Sequence, residues 1–398
     1  MISTSCNSIA REVLASAVAG RAPKLLPRAL MEESSNRALF GVLAEGLADL
    51  FEPRLCDVYA ELFAQAVEHA EPGLGAAALV ARYERVRRPR PVAKEPRQVF
   101  VLSRVTLGAD IAVTSVLLAA AKIRFPRSAI VFVGPEKNFE LFAGDPRLRH
   151  VAVEYRRGNL RERLAGWKEL RDIVGGKTAL VIDPDSRLTQ LGLLPVCAEE
   201  RYHLFESRAY GGDSGRALSE LAARWAADTF GVPAARPYLA LGQLPTGGAQ
   251  VAVSLGVGDN PNKRLPDPFE AELLRVLAGS GLELCVDKGA GGTEAARAEE
   301  AVARAGVKVR FWEGSFAGFA GIVAQSRLYV GYDSAGQHAA AASGVPLICI
   351  FAGFPSARMF ERWRPVGPQA VVIRVDRPDP KEVLAKVRVA VARWRALG

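Results

Sequence analysis

The sequence predicts an α/β protein with two Rossmann-like halves, preceded by an all-α N-terminal region. Three observations carry that reading. From Gln98 onward, short apolar runs alternate with helix-period patterns, as in βαβ units whose parallel strands are buried on both faces. The alternation occurs twice, and the two series are separated by a Pro- and Gly-rich stretch at 232–248. Before Gln98 only three- and four-residue spacing is present, with no strand-like alternation.

The N-terminal pattern runs through Leu39, Phe40, Leu43, Leu47, Leu50 and Phe51, then Leu55, Val58, Tyr59, Leu62, Phe63 and Val67, then Leu79, Val80, Tyr83 and Val86. Asp, Glu and Arg occupy the opposite faces, so residues 1–90 read as a helical bundle or a helical cap on the next domain. Residues 87–97, RRPRPVAKEPR, read as a tether, because proline removes donors and biases its predecessor away from helix. The first series has strands at 99–102, 130–133, 151–153 and 180–182, with helices at 111–123, 136–143 and 160–173 between them and a closing helix at 214–230. The second has strands at 251–255, 282–286, 307–311, 328–331, 347–351 and 371–375. A last helix opens at Asp379-Pro380, an N-cap and N1 pair, with Val383, Val387, Val391 and Trp394 on one face. The expected domains are 1–90 helical, 97–240 and 249–376 Rossmann-like, and a terminal helix at 379–398. Ligands of such sheets bind beyond the carboxyl ends of the strands.

Composition narrows the function classes. Lys plus Arg number 52 against 43 Asp plus Glu, a net charge of +9, so an anionic partner is expected: nucleic acid, an anionic membrane face or a phosphorylated small molecule. No RNP-like, KH or zinc-finger pattern supports nucleic acid. Five cysteines without CxxC spacing and four histidines without HExxH argue against a disulfide scaffold and a resident metal. No run approaches the ~18 apolar residues of a membrane span, and Arg11 and Glu12 interrupt any leader-like stretch, so the chain reads as non-secreted.

Three loops carry chemistry-bearing residues. The turn after the first strand, at 103–115, holds Gly108 and Asp110. Asp110 fits either a helix N-cap or a base that takes a proton from a substrate hydroxyl. GxGxxG is absent, which argues against a dehydrogenase. The loop at 254–267, SLGVGDNPNKRLPD, offers Ser254, an open backbone at Gly256 and Gly258, and the cations Lys263 and Arg264 just before a helix start, an arrangement suited to phosphate. The alternative is a basic surface turn, and GxxxxGK[ST] does not occur. The third, GYDSAGQHAAAASGVP at 331–346, sets Asp333, Ser334, Ala335, Gly336, Gln337 and His338 at the mouth of a small-residue helix whose free N–H groups suit phosphate. His338 fits a satisfied cap histidine equally well. Asp333, Ser334 and His338 lie too close in sequence for a hydrolase triad, and GxSxG is missing.

Together these loops resemble glycosyltransferase family 9, the heptosyltransferase-like enzymes, over 98–375. TLGADIAVT resembles the family's Gly-Asp turn with a following Thr, here Asp110 and Thr114. NKRLP supplies Lys263 and Pro266. DSAGQHAAAASGVP supplies Asp333, Ser334, His338, Gly344 and Pro346. Arg362, Trp363, Pro365 and Gly367 resemble a further family stretch. The resemblance implies a GT-B fold and an inverting, metal-independent transfer from a nucleotide diphosphate sugar, ADP-heptose by analogy, with no cofactor. Asp110 would deprotonate the acceptor hydroxyl. Lys263 would offset charge on the leaving diphosphate, the term that preorganised donors and cations serve best. The loop at 333–338 would hold phosphates, and Glu294 would take the ribose. It also allows the terminal helix to cross back onto the first half.

The chain departs from the family in three places. Ala109 separates Gly108 from Asp110, Ala335 stands where the family has Gly, and Leu265 replaces an aromatic. An Ala at a position of positive φ would be strained. The acceptor is expected to be a glycan, lipid or protein hydroxyl, and the setting cytoplasmic, at the inner membrane face for a lipid acceptor. The helical region 1–90 offers dimerisation, docking on an acceptor protein or contact with a membrane surface. A non-catalytic sugar-nucleotide binder or assembly protein working through that region is the alternative.

Overall fold

The structure, a computed structural model, describes residues 2–397 apart from 33, 35, 93, 177, 244–246 and 259, so part of the expected tether (93) and of the expected hinge (244–246) lies outside the described residues. The chain forms two compact units that interleave along the sequence. One comprises Met1–Thr106, Val116–Glu136 and Arg147–Ala235; the other comprises Leu107–Ser115, Lys137–Pro146 and Arg236–Gly398.

The first unit holds a parallel sheet of β1 (Gln98–Leu102), β2 (Ala129–Gly134), β3 (Leu148–Ala152), β4 (Ala179–Asp183) and β5 (Tyr202–Leu204), in the order β3-β2-β1-β4-β5. β1 pairs Gln98 with Ala129 on one side and with Ala179 on the other. Its residues after Gln98 are buried, as an apolar strand between two parallel neighbours must be. β5 went unread in the sequence: YHL has three residues and no periodicity, and its strand state comes from pairing with β4. β3 begins three residues before the apolar run at 151–153.

The N-terminal helices Ile2–Val18, Pro53–Ala70 and Ala76–Val86 share one core with this sheet, where Leu55, Phe63 and Tyr83 pack with Phe100, Val131 and Val181. The segment is therefore a cap on the first sheet. Each fully buried Leu or Phe there is worth about 1.5–3 kcal/mol. The cap also grips the loop after β4, in which Gln190, Leu191 and Gly192 all take left-handed φ (50°, 58° and 83°). Tyr59 donates to the Gln190 carbonyl, and buried Arg82 donates to the Gly192 carbonyl. These bonds hold a turn that two non-glycine residues would otherwise avoid.

The second unit holds β6 (Val251–Ser254), β7 (Leu284–Asp287), β8 (Arg310–Trp312), β9 (Leu328–Tyr332), β10 (Leu347–Phe351) and β11 (Ala370–Arg374), all parallel, in the order β11-β10-β9-β6-β7-β8. This is the doubly wound order, and its direction reverses between β6 and β9, where such sheets take ligands. β8 starts three residues later than the apolar run at 307–311, since Val307 and Val309 pack into the core as loop residues. The terminal helix Pro380–Leu397 starts on the Asp379 carboxylate, which accepts from the Lys381 N–H at 2.9 Å. Val383, Val387 and Val391 enter the core of this same sheet, with Val251 and Ile350, so the helix does not leave the second unit. No described helix is long and apolar enough to cross a membrane.

Candidate functional site

The segment Leu107–Ser115, although it follows β1 in the chain, belongs to the second unit. It is preceded by Val105, a β-branched residue at φ 71°, a conformation such residues enter only under constraint. The Ser103 hydroxyl accepts from the Val105 N–H at 2.8 Å and helps to hold it. A helix begins at Leu107, runs as a π turn through Asp110–Thr114 and continues as α-helix through Ser115–Arg124. Single π turns inside α-helices widen the turn by one residue and recur at functional sites. Asp110 is thus inside the helix and is not its N-cap.

The Asp110 side chain is fully buried. Thr114 donates its hydroxyl to Oδ1 at 2.6 Å, and Asn138 donates its amide to Oδ2 at 2.6 Å. Gly108 matters for a reason the sequence did not show. A Cβ there would lie 3.2 Å from both the Ala335 Cα and the His338 ring, so glycine lets this helix start pack against the helix Ala335–Ala342. The base candidate and the candidate phosphate loop are thereby brought together within one unit.

At the switch point, Lys263 ends a short 3-10 turn, Pro261–Lys263, that the Asn260 side chain caps. Its Nζ lies 2.6 Å from Asp333 Oδ2 and 3.2 Å from the Asp333 carbonyl oxygen. The other Asp333 oxygen accepts from Gln337, whose own amide oxygen accepts from Cys349 of β10. Asp333 is thus a buried hub between a cation and a helix start. Gly353 lies so close to the backbone of Asn262 and Lys263 that a side chain there would displace this turn.

Ser334 is the N-cap of the helix Ala335–Ala342, and its side chain makes no capping bond to the first-turn N–H groups. Its hydroxyl lies 3.4 Å from the buried Tyr329 hydroxyl. Ala335 is not among the residues of positive φ, so the departure from glycine costs no strain. Glycine is needed at 336 instead, where a Cβ would collide with the Tyr329 ring. His338 is buried edge-on against Trp363 and 3.3 Å from the Gln337 amide, and it does not cap its helix. Burial pushes its imidazole down to about 4, with Asp333 opposing and Lys263 reinforcing that shift.

The other sequence-derived candidates fall in two groups. Ser254 ends β6 and donates to Asp287, at the end of β7, over 3.4 Å. Gly258 takes φ 61°, and neither it nor Gly256 is crowded, so the backbone after β6 lies open. Arg264 and Glu294, by contrast, face each other: the guanidinium lies 2.5 Å from Glu294 and 2.8 Å from the buried Glu270. Arg297 also reaches Glu270, at 3.0 Å. Arg264 therefore closes an ion network with the helices Phe269–Ala278 and Gly292–Ala305, apart from the Lys263–Asp333 pair.

Asn138, Tyr329, Gln337's link to Cys349, and Asp287 are the neighbours that sequence reasoning missed as site components or left unconnected. Burial raises the Asp287 carboxyl to about 6, against the pull of the Gly289 N–H and the Ser254 hydroxyl. The one signal in the sequence was position, since Asp287 ends an apolar run beside the first strand of its series. Asn138 carried no signal of its own.

The family model described as glycosyltransferase family 9 (heptosyltransferase) matches residues 234–389. That span holds Lys263, Asp333 and His338 and excludes Asp110. No curated protein sequence matches the chain. Among solved structures, the chain is similar to the Escherichia coli ADP-heptose LPS heptosyltransferase II, at 19% identity and a TM-score of 0.52 over 74% of this chain and 99% of that one. It is similar to the E. coli heptosyltransferase WaaC with ADP-2-deoxy-2-fluoro heptose, at 17% identity and a TM-score of 0.54 over 75% and 99%. It is also similar to a family 9 glycosyl transferase from Veillonella parvula, at 16% identity and a TM-score of 0.55 over 74% and 90%. At these identities the structures speak to fold, and the fold is that of the two-sheet GT-B enzymes. Residues 234–389 match the glycosyltransferase family 9 model, and that match together with the fold supports a glycosyltransferase.

Proposed function

We propose that the chain transfers a sugar, with inversion and without a metal, from a nucleoside diphosphate donor to a hydroxyl of a glycan, lipid or protein acceptor. ADP-heptose is the first donor to test, since structures of similar fold hold ADP and an ADP-heptose analogue. A lipopolysaccharide precursor is the corresponding acceptor, which would set the reaction in the cytoplasm at the inner membrane face. The observation that carries this reading is Lys263, held by Asp333 at the mouth of a helix whose first N–H groups are uncapped. A cation and aligned N–H dipoles at one point favour an anion that gains charge as it leaves.

In the proposed step the acceptor hydroxyl oxygen bonds to the anomeric carbon while its proton passes to Asp110. The bond from that carbon to the diphosphate oxygen breaks, and the diphosphate leaves with the electron pair. Lys263, the N–H groups at 335–337 and the backbone at Gly256 and Gly258 would hold the diphosphate. Asp110 is fully buried, so turnover requires the packing over it to open.

A thermal-shift panel of ADP-, UDP-, GDP- and CDP-sugars tests the donor class, because a ligand bound to the native state raises the melting point by mass action. Asp110→Ala should then keep nucleotide affinity and lose transfer. Equal turnover in that variant removes Asp110 from the mechanism. The burial of Asp110, with both its oxygens accepting hydrogen bonds, favours one second reading: a protein that binds the sugar nucleotide without turning it over. Binding with neither transfer nor hydrolysis, across a broad acceptor panel, would establish that reading.

A further inference from the structure

Asn138 lies in the short helix Glu136–Phe139, which follows β2 in the chain. Its segment, Lys137–Pro146, belongs to the second unit together with Leu107–Ser115. The side chain has no exposed surface. Its amide nitrogen donates to Asp110 Oδ2 at 2.6 Å, while Thr114 holds Oδ1 from within the π turn at the same distance. Each carboxylate oxygen therefore accepts from a side chain, one on its own helix and one on a segment 28 residues away.

The other end of the same amide is the telling feature. Asn138 Oδ1 is buried and meets no hydrogen-bond donor among the described residues. Buried side-chain acceptors are nearly always satisfied, and an exception calls for an explanation. Leucine would fill the same volume without an orphaned carbonyl. What asparagine supplies that leucine does not is the N–H on Asp110. A donor aimed at a carboxylate favours the ionised form, the form that accepts a proton.

We infer that Asn138 is a positioning residue for the proposed transfer: its amide fixes the Asp110 carboxylate in orientation and in the ionised state, and its unpaired carbonyl is the cost of that hold. The inference rests on the reading of Asp110 as the base. The titratable groups on the elements packed against this helix start include His338, which burial keeps neutral above about pH 4, the Lys263–Asp333 pair at the mouth of the helix that carries it, and Glu136, Lys137 and Glu140 on the segment of Asn138 itself. Among the described residues, the Asn138 amide donates to Asp110 and to none of these groups.

The test uses the full chain with Asn138→Leu and the isosteric Asn138→Asp. The Asp110 carboxyl is followed by ¹³C NMR in aspartate-labelled protein, its signal assigned by its loss in Asp110→Asn. Transfer is measured as ADP release from ADP-heptose, or from the sugar nucleotide that gives the largest thermal shift. In Asn138→Leu the Asp110 titration should move up by about one pH unit or more, from the loss of a hydrogen bond to a charged group. Asn138→Asp sets a second carboxyl against the first and should move it further. The acid limb of the kcat profile should follow, with kcat down at least about tenfold at the low-pH end and donor KM unchanged. Rates that fall only in step with the folded fraction, or an Asp110 titration unmoved in both variants, would overturn the inference. A wild type that binds sugar nucleotides and never turns them over would sink the catalytic reading instead. In that case the NMR titration still decides whether Asn138 controls the Asp110 carboxylate.

Discussion

Lys263 Nζ lies 2.6 Å from the Asp333 carboxylate, and both side chains are largely buried. Neither charge is left alone, so each partner's removal strands the other in a low-dielectric setting. Lys263→Met should therefore cost about 3–5 kcal/mol of stability. It should also weaken binding of ADP, or of the diphosphate the panel selects, by about 1.5–3 kcal/mol. The double variant Lys263→Met/Asp333→Asn should recover much of the stability and none of the affinity. Melting curves and titration calorimetry separate the two effects, and undiminished affinity in the single variant would exclude Lys263 from the phosphate site.

The π turn at Asp110–Thr114 begins directly after Ala109. The family that the turn resembles has Gly directly before Asp, and here one more residue intervenes. A π turn takes up one extra residue without rotating the rest of the helix. Deleting Ala109 should let the turn relax to α-helix, leaving the burial of Ile111, Val113 and Val116 intact and the melting temperature within a few degrees of wild type. Unfolding of the deletion variant would mean that the extra residue is built into the packing.

Acid should destabilise the protein through two histidines. Burial lowers both His203 and His338 to about 4, from an ordinary 6.5. Between those values the unfolded chain binds more protons than the native one, so stability falls as pH drops from about 6.5 toward 4. Each histidine contributes up to about 3 kcal/mol over that window. Urea unfolding at pH 7 and pH 5 measures the sum. His203→Leu, in β5, should reduce proton uptake on unfolding by about one; an unchanged pH slope would contradict the burial argument.

Asp287 works in the opposite sense. Burial raises its carboxyl to about 6, so the native state holds the proton more tightly than the unfolded chain does. Its contribution is favourable at low pH and is lost as pH rises from about 4 through 6. Asp287→Asn can still accept from the Gly289 N–H with its amide oxygen and can donate its NH2 to the Ser254 hydroxyl, and it should be more stable than wild type at pH 8 by up to about 3 kcal/mol, with the gain vanishing near pH 4. An equal gain at both pH values would mean that ionisation is not the source.

Much of the fold was legible. Uniformly apolar strands such as VFVL and LICIF announce burial on both faces, and helix-period runs between them announce crossovers. β5 was not legible, because three residues carry no period. The β8 start was misplaced because Val307 and Val309 pack half-buried against the core ahead of the strand. At the site, DSAGQH marked a helix mouth beyond a strand, and Lys263 marked a cation before a helix. Arg264 and Glu294 looked equally available in the sequence, yet they meet each other at 2.5 Å, a pairing between residues thirty positions apart that spacing does not reveal.

Sequence alone determined the two βαβ series, the helical cap and the residue types at each strand's carboxyl end, because periodicity and burial are local properties of side chains. Tertiary structure decided which of those residues act together. Gly108 brings the helix of Asp110 against the helix of His338, Asn138 reaches Asp110 from a distant segment, and Asp333 captures Lys263. Each of these depends on the approach of backbones remote in sequence, and hydrogen bonds and ion pairs form only at the distances that packing imposes.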